Sequence, residues 1–259
     1  MKGVPLIGLM TLALITAGPL QASPVAGSLA EQQEGQSAQT PQQQLADSIV
    51  QLSGLTGLSL QARNLAQQVL NEEQAALGFQ YQVASRVSSL WSPERLTRVL
   101  KEALQPLDET SQQTLLEALN HQLMQRAREK ENSTVVDQDT KGFLAYVQKL
   151  RRQPPAASRL QVITELDQAM HFSKLLMNTR ASVFAQLQAV LQGWQPPANW
   201  QQTMRNESRE FLLYTYRRTP NDGIQALTRL YRDAALQQWL QAVQQRLSRL
   251  DPDVASAGS

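Results

Sequence analysis

"AALQQWLQAVQQRLSRL", residues 234–250, has the most regular hydrophobic period in the chain. Glutamine and arginine fill many of the positions between its large apolar residues, which are Leu236, Trp239, Leu240, Val243, Leu247 and Leu250. A spacing of three or four residues brings such side chains to one face of an α-helix. The stretch therefore predicts an amphipathic helix with one face packed against other helices.

The same period recurs on both sides of the midpoint of the chain. Ile49 and Leu52 share a helical face in the first half, and Leu160, Ile163 and Leu166 share one in the second. No run of alternating β-branched residues is long enough to predict a strand. The sequence therefore predicts an all-α protein, in which two related helical units form a multi-helix bundle or array.

Polar and turn-forming stretches divide the chain. "ENSTVVDQDT", residues 131–140, predicts a loop, with Glu129 and Glu131 at a solvated helix end. A short helix is expected around Phe143 to Leu150, because the prolines of "RRQPPAAS" stop it. We predict, in order, a signal peptide (1–22), a flexible Gln-rich leader (23–44), a first helical unit (45–131), a loop, short helix and linker (132–157), a second helical unit (158–250) and a disordered tail (251–259).

The two halves align with each other when one is shifted by about 112 to 114 residues. The apolar positions then coincide more often than the residue identities do. The matched pairs are Ile49 and Leu52 with Ile163 and Leu166, Val69 and Leu70 with Val183 and Phe184, and Leu119 and Leu123 with Tyr231 and Ala235. This coincidence predicts an internal repeat.

The first residues have the pattern of a secretory signal peptide. Lys2 supplies the basic end, an apolar run extends from residue 4 to residue 17, and small residues surround Ala22, after which we expect cleavage. The run is short and is followed by Gly18 and Pro19, so an uncleaved membrane anchor is the weaker alternative. The sequence predicts a periplasmic or secreted protein with no membrane span in the mature chain.

The composition excludes several classes of site. The chain has no cysteine, which removes disulfides, thiolate metal sites and a cysteine nucleophile. His121 and His171 are its only histidines, so we expect no multi-histidine metal site and no cofactor. Nucleic-acid-binding proteins usually show a dense basic face, and a net charge of +2 is too small to predict one. No nucleic-acid partner is therefore expected.

No catalytic residues can be assigned from the sequence. There is no Gly-x-Ser-x-Gly motif, and both histidines fall at helix joints or within helical context. Glu72 and Glu73 are adjacent, so on a helix they point in different directions and do not form a catalytic pair. We therefore predict that the protein is not an enzyme. A buried acid beside His121 or His171 would favour the alternative of a hydrolase with an unrecognised site.

The stretch "YRRTPNDG", residues 216–223, is the most irregular in the second half. Thr219 is predicted to be the N-cap of a helix, with Pro220 at its first position and Asp222 near the positive end of its dipole. Calcium loops need several acidic oxygens, and this stretch has one acidic residue. The stretch therefore predicts a helix start. "SPERL" at Ser92 predicts another.

A cluster of basic and aromatic residues surrounds this helix start. Tyrosine and arginine are common at binding hot spots, so the cluster is a candidate for binding a partner or an anion. In the simpler alternative, the tyrosines close the core and the arginines form a solvated rim. The members are Tyr214, Tyr216, Arg217, Arg218, Arg229, Tyr231 and Arg232.

The Leu-Tyr-Thr-Tyr-Arg segment (213–217) is followed by a capped helix (219–230), an aromatic turn (231–235) and a last amphipathic helix from Trp239 onward. In these segments the chain resembles a family of uncharacterised exported bacterial proteins, and the resemblance covers most of Leu45 to Leu250. Arg159–Leu160 and Leu166–Asp167 resemble a further family segment. Because the family is a domain of unknown function, the resemblance implies an all-helical exported protein and no particular activity.

These observations lead to one leading function and two alternatives. We expect a non-enzymatic interaction or binding protein of the bacterial envelope, whose partner is an envelope protein or lipid. The first alternative is a carrier or chaperone for an apolar ligand or an unfolded chain. It would need a cavity or groove lined by residues such as Leu176, Val183, Trp194 and Trp200. The second alternative is the hydrolase.

Overall fold

The computed structural model describes residues 40–138 and 140–250. The predicted signal peptide, residues 23–39 of the predicted leader and the predicted tail lie outside the described residues. The described residues form twelve α-helices and one short 3-10 turn, and they contain no strand. The prediction of an all-α fold with multiple packed helices is confirmed.

Six helices come from the first half, one connects the halves and five come from the second. The first six are α1 (Pro41–Ser53), α2 (Leu58–Glu72), α3 (Leu77–Leu90), α4 (Pro93–Glu102), α5 (Glu109–Asn120) and α6 (Gln122–Asp137), with the 3-10 turn at Leu55–Gly57. The others are α7 (Lys141–Arg152), α8 (Ala157–Met170), α9 (Phe172–Val190), α10 (Trp200–Thr215), α11 (Asn221–Tyr231) and α12 (Ala234–Leu247).

Two boundaries predicted from the sequence are wrong. The flexible leader does not reach residue 44, because α1 starts at Pro41 behind a capping box formed by Thr40 and Gln43. The loop predicted from residue 131 is helical as far as Asp137. Thr134 and Val135 are buried there, and the Thr134 hydroxyl bonds to the hydroxyl of Thr215 at 3.0 Å. These tertiary contacts outweigh the weak helix propensity of the polar and β-branched residues.

The helices of the two halves interlock around one continuous hydrophobic core. Within the halves, α1 packs against α5 and α8 packs against α11. Between the halves, α2 packs against α9, α12 against α4 and α5, and α6 against α10 and α11. Two buried indoles also cross from one half to the other: Trp91 Nε1 donates to Ser182 Oγ at 3.1 Å, and Trp239 Nε1 donates to the Leu100 carbonyl at 3.2 Å.

Three pairs of helices start at similar offsets in the two halves. Helices α5 and α11 start at residues 109 and 221, and α6 and α12 start at 122 and 234, so both pairs lie 112 positions apart. Helices α2 and α9 start at residues 58 and 172, which are 114 positions apart. These offsets agree with the shift that aligns the sequence, although the repeat itself stays a prediction. No helix among the described residues is long and apolar enough to cross a bilayer.

The turn before α11 is held by one arginine. Arg159 of α8 donates hydrogen bonds to the Thr219 carbonyl and Asn221 Oδ1, both at 2.8 Å, and to the Tyr216 carbonyl. The prediction that Thr219 is the N-cap is wrong: Pro220 occupies that position, and the Thr219 hydroxyl accepts from Lys130 Nζ at 2.8 Å. The predicted cap at Ser92 is confirmed, since its side chain accepts from the backbone N–H of Arg95.

We expect Arg159→Ala to lower the free energy of unfolding by about 2 kcal/mol, because three oxygens lose a charged donor. Urea denaturation measures this change as a lower midpoint at constant slope. Arg152→Ala is the matched control, because Arg152 is exposed and should change stability by less than about 0.5 kcal/mol. Equal midpoints for Arg159→Ala and Arg152→Ala would show that the three hydrogen bonds do not stabilise the turn.

Candidate functional site: a cavity between the two halves

A small cavity of about 70 Å³ lies where the two halves meet. Its walls come from the ends of α1, α5, α8 and α11, the starts of α2, α9 and α12, and the middle of α6. Apolar side chains form most of the lining, including Leu58, Phe172, Leu175, Leu176, Trp239 and Leu240. The cavity is therefore a shared product of both halves.

One wall of the cavity is polar. Gln61 from α2, Arg128 and Glu131 from α6, and Tyr231 from α11 all line it, and each is buried. Arg128 and Glu131 are three residues apart on α6, so both project from the same face of that helix. Charged side chains are seldom buried to this degree without a partner.

Glu131 is held by a tyrosine from the other half. The Tyr216 hydroxyl donates to Glu131 Oε1 at 2.6 Å. Burial raises the pKa of Glu131 above its ordinary value, against the smaller opposing effects of Tyr216 and the nearby charge of Arg128. The interpretation of Glu131 as part of a solvated helix end is wrong: it is a buried carboxyl that retains its proton to higher pH than a free glutamate does.

Arg128 has no hydrogen bond or close ion pair with any other described residue, and although the residue is only 8% exposed, its guanidinium nitrogens still reach solvent. Its charge interacts with Glu131, but no carboxylate oxygen of the described residues lies within 4.0 Å of its guanidinium. Arginine keeps its proton under all ordinary conditions, so this side of the cavity has a permanent positive charge.

The polar wall belongs mostly to the first half. At the offsets that relate the helices, Gln61 corresponds to Leu175, and Arg128 corresponds to Leu240. Both leucines line the same cavity. The second half therefore shows that leucine fits these positions of the helical pattern, whereas the first half places an amide and a guanidinium there.

The structure distributes the seven residues of the predicted binding cluster among three places. Tyr216 and Tyr231 lie in the interior, at Glu131 and at the cavity. Tyr214 packs edge-on against Phe143 and Tyr146, and the Arg217 guanidinium lies 3.6 Å from its ring centroid. The other members are solvent-facing arginines: Arg217 and Arg218 line a surface cleft with Lys130, and Arg229 and Arg232 lie on the exposed side of α11. A binding role for these arginines stays a prediction.

The histidines serve as helix joints. His121 separates α5 from α6, and its Nδ1 accepts from the backbone N–H of Leu123 at 3.2 Å. His171 separates α8 from α9 with a left-handed φ of 54°, and its ring contacts the amides of Gln237 and Gln244. Within residues 40–138 and 140–250, no group of three or more His, Cys, Asp or Glu side chains could hold a metal ion.

Of the residues expected to line a carrier's cavity, Leu176 does so. Val183 lies in the packed core, and Trp194 and Trp200 pack edge-on against Phe184, outside the cavity. Sequence reasoning missed Gln61 and Arg128 as candidates. The signal that could have found them is a polar residue at an apolar position of the helical period, where the aligned position of the second half has leucine.

A second buried charge pair lies between α9 and α10. Arg180 donates to Glu207 Oε2 at 3.2 Å, and its second guanidinium nitrogen, NH1, is buried without a hydrogen bond among the described residues. Burial raises the pKa of Glu207 from 4.5 to about 7, although Arg180 opposes the shift. This pair is not part of the cavity lining.

Comparison with known proteins finds no match for this chain among family models, curated proteins or solved structures. The resemblance to exported proteins of unknown function therefore stays a prediction.

The raised pKa of Glu207 predicts that stability falls as the pH rises from 4.5 to about 7. In that range the unfolded carboxyl has lost its proton while the folded one still holds it, so the native state binds more protons. The loss at neutral pH should be about 3 kcal/mol, measured by urea denaturation at pH 4.5 and pH 7.5.

Glu207→Gln should remove this part of the pH dependence, because glutamine does not titrate. Glu131 contributes a slope of the same sign, so the difference between wild type and Glu207→Gln isolates Glu207. Glu129→Gln, an exposed change, is the control. If wild type and Glu207→Gln have the same pH profile, the pKa of Glu207 is not raised.

Proposed function

We propose that this protein is an exported binding protein of the bacterial envelope that holds a small, partly apolar ligand between its two halves without changing it chemically. The observation that supports this function is the cavity of about 70 Å³, which Arg128 lines without a hydrogen bond to any described residue. A carrier needs such a cavity, whereas a protein that only contacts a partner through its surface does not.

The cavity costs stability if it has no occupant. A void of this size lowers stability by up to about 2 kcal/mol, because its apolar lining loses contacts that a filled core would make. Arg128 adds a smaller cost, because the residue is largely removed from water and bonds to no described residue. Leu175 and Leu240 show that apolar residues fit the corresponding positions of the second half. A bound ligand would offset both costs, and this supports a binding role.

The remaining support comes from the sequence. The signal-peptide pattern with expected cleavage after Ala22 supports export, and the family resemblance supports an envelope location without assigning an activity. A binding protein in the periplasm needs no cofactor for this task. The hydrolase has less support, because neither histidine contacts a carboxylate among the described residues.

We expect xenon under moderate pressure to bind in the cavity, because it is an apolar probe that needs no particular polar contact. Methyl resonances of Leu176 and Leu240 should shift on binding in NMR spectra. Leu58→Phe should abolish the shifts by filling the cavity, since Phe172 occupies the corresponding position of the second half. Val136→Phe, on the exposed surface, should leave them unchanged. Absence of xenon binding in wild type would overturn the proposed function.

A second candidate is an adaptor, that is, a protein that binds its partner through its surface. It is favoured by large apolar side chains exposed at the start of α3. Leu77 is 82% exposed and Tyr81 is 77% exposed, and they lie four residues apart on one helical face. Phe79 beside them is also exposed. Apolar residues grouped in this way can mark a contact surface for another protein.

A photo-crosslinking residue in place of Tyr81 should give one covalent adduct of defined mass in the native envelope, if this surface contacts a protein. The same residue in place of Val136 is the control, because Val136 is 80% exposed on a different helix. Identical products from the two positions, or none from position 81, would argue against the adaptor.

A further inference from the structure

We infer that the ligand of the cavity is a short-chain carboxylic acid, bound with its carboxylate on Arg128 and its hydrocarbon chain against the apolar wall. This inference rests on the proposed function, because it assumes that the cavity holds a ligand. It adds the chemical class of the ligand, the residue that recognises its head group and the direction in which it lies.

The head group follows from the charge of the polar wall. Arg128 is more than nine-tenths buried, lines the cavity and bonds to no other described residue. A guanidinium presents several N–H donors in one plane, which match the two oxygens of a carboxylate. A ligand carboxylate would therefore supply the partner that this side chain lacks.

Glu131 is the group that could oppose an anion. Its Oε1 is already engaged by the Tyr216 hydroxyl at 2.6 Å. Burial also raises the pKa of Glu131, which favours its neutral form. With Glu131 engaged by Tyr216, Arg128 is the charged group left to bind a ligand, so an anionic head group fits this wall better than an ammonium.

Two neutral groups complete the polar wall. The Gln61 amide and the Tyr231 hydroxyl line the cavity and form no hydrogen bond with a described residue. Both can donate to a carboxylate that lies on Arg128. The apolar side chains of Phe172, Leu175 and Leu240 complete the lining and fit a hydrocarbon chain.

The volume limits the length of the chain. A water molecule occupies about 10 to 15 Å³ on the scale used for such cavities, so 70 Å³ accommodates roughly five to seven non-hydrogen atoms. A carboxylate with two to four further carbons fits this space. The chain of a long fatty acid extends beyond it.

Calorimetric titration of the full mature chain with four probes tests the inference. The probes are pentanoate, pentanamide (nearly the same shape but neutral), pentylammonium and dodecanoate. We expect pentanoate to bind at least about tenfold tighter than pentanamide, because the charged head forms the stronger hydrogen bonds with Arg128. Pentylammonium and dodecanoate should bind more weakly than pentanoate.

Each result has one meaning. Equal binding of pentanoate and pentanamide overturns the carboxylate head while the proposed function stands. If pentylammonium binds more tightly than pentanoate, Glu131 binds the head group and the inference is overturned. If dodecanoate binds more tightly than pentanoate, the size limit is overturned. Absence of binding by all four probes overturns the inference if xenon still binds, and it overturns the proposed function as well if xenon does not.

Arg128→Gln should reduce the ratio of pentanoate to pentanamide affinity to about one, because glutamine keeps polar contacts but has no charge. Arg126→Gln, on the exposed side of the same helix, should keep the wild-type ratio. An unchanged ratio in Arg128→Gln would overturn the role of Arg128. The wild-type series decides the ligand class even if Arg128→Gln does not fold.

Discussion

The packing of α2 against α9 joins the two sets of helices into one molecule. Each set has its own close pair, α1 with α5 or α8 with α11, but such a pair leaves apolar surface uncovered. Helices α6 and α12 cover this surface by packing across onto the opposite half. Apolar surface is therefore buried both within the halves and between them, and the cavity lies where the halves meet.

The interior shows what this enclosure does to charged groups. Glu131 and Glu207 have raised pKa values because burial outweighs the hydrogen bonds and positive charges near them. Arg180 and Arg128 differ in their surroundings: Arg180 pairs with Glu207, whereas Arg128 has no direct partner among the described residues. A buried charge with a partner is understandable as part of a packed fold. Arg128, which has no hydrogen bond to a described residue, is the feature on which the proposed ligand site rests.

Hydrophobic period and helix caps predict much of this fold. Helix α12 and the cap at Ser92 follow directly from local sequence. The end of α2 does not: its pattern extends toward Leu77, but the helix ends at Glu72 and Gln74 takes a left-handed φ of 49°. The loop predicted from residue 131 is helical because of contacts with α10, which no local pattern contains.

The candidate site is harder to predict than the fold. Glu131 resembles a surface residue in its local sequence, and only the position of Tyr216, 85 residues away, makes it buried and bonded. Local sequence shows which residues can carry charge. It does not show which of them become buried in the folded protein.

The crossed arrangement of helices also determines how the molecule comes apart. Because α6 and α12 each cover apolar surface of the other half, separation of the halves would expose both walls of the cavity to water at once. Neither half retains a complete core of its own. We therefore expect the two halves to unfold together rather than one after the other.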